Sequence, residues 1–199
     1  QKGLSYAYSE AIISLARLTK KQIEDRWERL VELYQEMVRN YNEFGELWRN
    51  IPLGIEAFDI IQEMPDTVKD CYDGKVEKSE IMTSIISYMD ETLTPRLCIE
   101  MREYVKSLYS GDKDNNEELQ KLQDFIDTEI SVEEYCRKYE KMLMFDPVER
   151  TEEWEKVIYE VEKECAEILK DEPKGMGFCF GYWSTKAAVL GRHGIEWRS

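Results

Sequence analysis

Residues 19–51 read TKKQIEDRWERLVELYQEMVRNYNEFGELWRNI, and this stretch decides the fold. Taken in steps of four and three, its apolar positions are Ile23, Trp27, Leu30, Tyr34, Met37, Tyr41, Phe44, Trp48 and Ile51. The spacing holds without a miss over about four heptads, which marks an amphipathic α-helix. A continuous helix of that length spans roughly 45 Å. One register, Trp27, Tyr34, Tyr41 and Trp48, is aromatic throughout and is expected to be core. Leu33 and Leu47 widen the stripe on one flank, Val31 and Val38 on the other. A stripe so wide needs more than one neighbour, so it predicts a bundle core and not a two-stranded coil. Gly45 is expected to loosen the last turn and Pro52 to end the helix.

The flanking sequence repeats the theme. Leu4, Tyr8, Ala11, Leu15 and Leu18 predict a helix over 4–18. Ile55, Phe58 and Ile61 predict a short helix over 53–63, closed by Pro65. Residues 66–78 are polar, contain Gly74 and read as a loop. Ser79 can cap a helix carrying Met82, Ile85, Ile86 and Met89. Thr94 before Pro95 starts another, with Leu97, Met101, Tyr104 and Leu108 inward and Gly111 as its stop. A further helix carries Leu119, Leu122, Phe125 and Ile126. Ser131 with Glu134 makes a capping box ahead of Val132, Tyr135, Tyr139 and Met142. Asp146 with Glu149 makes a second box, opening an acidic helix with Trp154, Val157, Val161, Cys165 and Ile168 inward. No run alternates with period two. The expected fold is all-α, a bundle of about eight helices organised around one long helix at about 20–50. One acidic domain, 1–199, is expected, with loop 66–78 as the only place to divide it.

Net charge is −15, which disfavours direct binding to nucleic acid or to an anionic membrane surface. No apolar run is long enough to span a bilayer. The five cysteines, Cys71, Cys98, Cys136, Cys165 and Cys179, are odd in number and widely spaced, which suits reduced thiols in the cytoplasm. No CxxC pair occurs and His193 is the only histidine, so neither zinc nor histidine-based catalysis is expected. Asp112, Asp114, Asn116 and Glu118 start with calcium-loop spacing. Glu117 then stands where glycine must turn the loop, and Gln123 where a bidentate glutamate belongs. Glu152, Glu153, Glu155, Glu160, Glu162, Glu164 and Glu167 read mainly as a solvated face, and no Glu-x-x-His occurs to build a di-metal centre. No cofactor, metal ligand or catalytic residue is assigned.

Residues 173–199 differ in kind. They carry a local charge of +3 against −18 for residues 1–172, and half of the ten glycines. Gly177–Leu190 is apolar all round, with Phe178, Tyr182 and Val189 on one face and Cys179, Trp183 and Leu190 on another. The first expectation is a central helix that closes the bundle, with Ile195 and Trp197 pinning the terminus. A second reading places an anion on the backbone N–H groups near Gly175 and Gly177, beside Lys174. A third is an aromatic and basic patch that meets another protein. The candidate binding residues are Lys174, Gly175, Gly177, Tyr182, Trp183, Lys186, Arg192, His193 and Trp197.

The run Gly177-Phe178-Cys179-Phe180-Gly181-Tyr182-Trp183, with Lys186 and the closing His193-Gly194-Ile195-Glu196-Trp197, resembles the ends of some uncharacterised bacterial proteins. The resemblance covers only the segment at about 175–197. Those relatives carry a polar residue where Phe180 stands. It implies no activity, and no functional residue is carried over from it.

The function expected is a non-enzymatic protein-binding module that meets another protein or a second copy of itself as a homodimer. Two alternatives stand beside it. One is an acidic inhibitor that imitates nucleic acid and docks on a basic groove. The other is an enzyme with a carboxylate or anion site, which a pocket lined by Lys174, Lys186, Arg192 and His193 would favour.

Overall fold

The computed structural model describes residues 18–65, 67–69, 75–108, 116–173, 175 and 177–198. The helix expected over 4–18, Cys71, the loop after Gly111 and Lys174 lie outside them, apart from Leu18. The fold is all-α. Eight α-helices are present among the described residues: α1 (Lys20–Arg39), α2 (Ile51–Glu63), α3 (Lys78–Ile86), α4 (Pro95–Leu108), α5 (Asn116–Ile126), α6 (Val132–Lys138), α7 (Glu152–Ile168) and α8 (Phe178–Arg192). None of them is long and apolar enough to cross a membrane.

Helix α1 opens on a capping box. The Gln22 N–H donates to Thr19 Oγ1, and the Gln22 side chain accepts from the Thr19 N–H. It buries Leu30, Leu33 and Met37. The aromatic register lies on the flank of this stripe and not at its centre: Trp27 and Tyr34 are half-buried and Tyr41 is 53% exposed. The helix also ends earlier than its pattern predicts. A π-helical turn (Asn40–Phe44) leads to Gly45 at φ 64°, a left-handed position that glycine adopts without steric cost. A 3-10 turn (Leu47–Asn50) follows, and Pro52 lies in the first turn of α2 instead of closing α1. Fully buried Asn50 secures the corner. Its Nδ2 donates to the carbonyls of Met37 and Tyr88, and its Oδ1 accepts from Asn40 at 2.9 Å.

Helices α1 to α5 enclose one core, built on Leu33, Met37, Ile61, Met82, Ile85, Met101 and Val105. Inside it, Gly54 of α2 faces Met89; a Cβ there would sit 2.4 Å from the Met89 Sδ. Part of the segment expected as a loop is paired. Strands β1 (Thr67–Lys69) and β2 (Lys75–Glu77) form a two-stranded antiparallel ribbon with Val68 opposite Val76. With one apolar pair between polar and charged neighbours, the ribbon has no period-two signature to read. Glu77 caps α3, where Ser79 was expected to.

The second half packs separately. Trp154, Ile158, Val161 and Cys165 of α7 close against Val189 and Leu190 of α8, with Ile51 and Ile195 completing the cluster. Thr151 caps α7, and the Asp146–Glu149 box opens a 3-10 turn before it. Glu155 of α7 reaches across to accept from the Arg96 and Leu97 N–H groups, so it caps α4 from outside. A third, smaller cluster holds Phe125, Val132, Tyr135 and Cys136. Arg150 is buried beside it and donates to the Phe125 and Ile130 carbonyls at 2.8 and 2.6 Å. Met142, expected inward, is 98% exposed, and Leu143 and Met144 beside it are exposed as well.

Candidate functional site

The site is built from α7, α8 and the corner between α1 and α2. Along α7, Trp154, Ile158 and Glu162 repeat every four residues, so all three face α8. Along α8, Phe178, Tyr182, Lys186 and Leu190 repeat in the same way and face back. The facing rows bring one acid opposite one base. Glu162 and Lys186 are 5% and 7% exposed, and Lys186 Nζ donates to Glu162 Oε1 at 2.6 Å. Tyr182 Oη donates to the same carboxylate, at 2.6 Å from Oε2. Burial, and then the Glu162 charge, push the Tyr182 hydroxyl well above its ordinary pKa, so it stays a donor.

The Lys186 ammonium also lies 5.0, 5.4 and 5.7 Å from the ring centroids of Trp154, Trp197 and Tyr182. Three aromatic faces and one carboxylate replace the water that this cation loses. The C-terminal segment supplies one of those faces. After Gly194 (φ 78°) the chain turns back, Ile195 is buried, and Trp197 Nε1 donates to Glu149 at 2.8 Å. The Arg198 N–H then donates to Asp146 at 2.6 Å.

Glu162, Tyr182 and Lys186 form the floor of an open cleft of about 680 Å³. Phe44, Trp48 and Arg49 from the corner also line it, together with Leu169 and Lys170 beyond α7, Phe178 at the start of α8, and Asp90. Arg49 stacks over Trp48 at 4.7 Å and Phe44 at 5.4 Å and pairs with Glu46. Outside the cleft, Phe180 and Trp183 are 69% and 43% exposed and meet edge to face at 5.8 Å.

The structure therefore divides the residues singled out in the tail. Tyr182 and Lys186 are in the cleft floor, and Trp197 lies behind it. Gly177, at φ 96°, stands immediately before α8, and Gly175 precedes it in an exposed turn. Arg192 pairs with Glu164 on the outside, and His193 is exposed at the end of α8. Neither lines the cleft. Trp183, expected as core in the first reading of the tail, faces out, whereas Lys186, a candidate binding residue, is buried. Glu162 belongs by spacing to a helix whose glutamates mainly form a solvated face, and it is the buried exception. Its signal was positional, since it continues the Trp154, Ile158 row.

Among the described residues no group of three or more His, Cys, Asp or Glu side chains is placed to hold a metal ion. Cys98, Cys136 and Cys165 are buried free thiols, and Cys179 is an exposed one. No family model matches the chain, and no curated protein or solved structure is similar to it.

Proposed function

We propose that the protein is a non-enzymatic binding module of the cytoplasm that takes a segment of another protein across the first two turns of α8 and into the adjoining cleft. The observation that carries this reading is the Phe180–Trp183 pair. Two large rings stand exposed, packed on each other, on a helix whose opposite face is anchored in the core. Exposed aromatic side chains on a rigid element, beside a concave surface, are the usual anchors of protein interfaces. The cleft chemistry favours binding over catalysis: Glu162, Tyr182 and Lys186 satisfy one another, which leaves no free base or nucleophile among the three. The free thiols fit a reducing compartment.

Imitation of nucleic acid has one feature in its favour. Glu24, Glu28, Glu32 and Glu36 make a line of exposed carboxylates along α1, about 6 Å apart in rise. Lys20 and Arg29 interrupt that line by pairing with Glu24 and Glu32, so we prefer the module.

The test is selection of displayed random peptides on the full chain. Peptides should be enriched that bind the parent and are lost to F180A/W183A. If no peptide depends on these rings or on the cleft, the reading is wrong. Sedimentation of the parent and of F180A/W183A, carried out alongside, shows whether a second copy binds and whether it needs the same surface.

A further inference from the structure

We infer that the cleft receives a cationic side chain, a lysine or arginine of the partner protein, with Asp90 as its counter-ion and the rings of Phe44, Trp48 and Phe178 around it. This rests on the proposed binding role and names the chemistry of its partner. The argument begins with the charges that line the cleft. There are three cations, and each already has a carboxylate of this chain: Arg49 has Glu46, Lys170 has Glu167, and Lys186 has Glu162. Of the three anions that line it, Glu46 and Glu162 are those same partners.

Asp90 is the remainder. Its side chain accepts from the Thr92 N–H at 3.0 Å and the Thr92 hydroxyl at 2.7 Å, and it has no cationic partner among the described residues. It lines the cleft together with Glu162, Tyr182 and Lys186. The uncompensated charge of the cleft is therefore negative, in a protein of net charge −15. A cation is drawn towards such a surface over the range of the screened field and meets its counter-ion at the end of the path.

The walls suit the same guest. Aromatic faces attract lysine and guanidinium groups, and the alkyl stems of these side chains pack on rings while the charged head stays near polar groups. Arg49 already shows the arrangement within this chain, stacked on Phe44 and Trp48 with Glu46 as its acid. An anionic guest would find every cation already neutralised and would face Asp90.

The experiment uses the full chain, the D90N variant and the peptides recovered by selection. Asn keeps the oxygen that accepts from Thr92, so the fold is retained, and circular dichroism melting verifies it. The peptides should share a lysine or arginine, and replacing that residue with norleucine should weaken binding about tenfold or more. D90N should weaken the parent peptide to a similar degree and the norleucine peptide far less, because the two changes remove the same interaction. Peptides that depend on Phe180 and Trp183 but carry no common cation, or that ignore D90N, overturn this inference and leave the binding role standing. The absence of any peptide that depends on the rings or the cleft overturns both.

Discussion

Glu162 and Lys186 lie 24 residues apart in the chain and form a buried ion pair between α7 and α8. Removing one member of such a pair strands the other charge, at a cost of about 3–5 kcal/mol. Lys186→Met should therefore lower stability by that order, and Glu162→Met added to it should recover most of the loss. Chemical denaturation of the two variants measures both. A single variant as stable as the parent would mean that the pair is open to water. The buried thiols give a second test at this scale. Burial lifts Cys98 to about 12 and Cys165 to about 11, from an ordinary 9. The unfolded chain loses these protons first as pH rises, so stability is full below pH 9 and declines through the window above it. Tyr182 contributes in the same direction. The melting temperature should fall between pH 8.5 and 11 by more than in a Cys98→Ala/Cys165→Ala variant, about those pKa values. In native protein at pH 8 iodoacetamide should label Cys179 well before Cys98, Cys136 or Cys165, as read by mass spectrometry, because only the first is exposed.

At the scale of the element, what the sequence reveals is what is local. The boxes Ser131 with Glu134 and Asp146 with Glu149 close within three residues, and both are present. The stripe of α1 is equally local, and its centre at Leu30 and Met37 is buried. Leu30→Ala or Met37→Ala should cost about 2–5 kcal/mol. Glu28→Ala or Glu32→Ala should stay within about 0.5 kcal/mol, since both are exposed. Equal effects in the two classes would contradict the register. The errors have physical causes too. The stripe runs on past Gly45 because Trp48 and Ile51 resume packing after the corner, so the hydrophobic pattern continues where the helix does not. Glu162 and Lys186 were hidden because each is charged, and a charge on an apolar row makes sense only beside a partner that the sequence does not place. An aromatic residue on a helix apolar all round predicts core for Trp183, yet in α8 the row through Tyr182 and Lys186 takes the inner face.

For the whole molecule, α8 has one buried face and one exposed face. The inner face, with Val189 and Leu190, covers Trp154, Ile158 and Val161. Truncation after Pro173 should uncover that cluster and yield a chain that aggregates or binds a hydrophobic dye, as read by light scattering and dye fluorescence. A truncated chain as monomeric and stable as the parent would show that the second cluster does not depend on α8. The outer face, with Phe180 and Trp183, is exposed, and the proposed binding role rests on it. The most direct test compares F180A/W183A with the parent in two measurements on the same samples, the melting temperature and the affinity for a selected peptide by fluorescence anisotropy. Loss of exposed rings should cost no more than about 1 kcal/mol, a melting shift within about 4 °C. The affinity should fall by about tenfold or more, as loss of interface anchors does. A variant that melts far lower, or one that binds the peptide as well as the parent, would contradict the account.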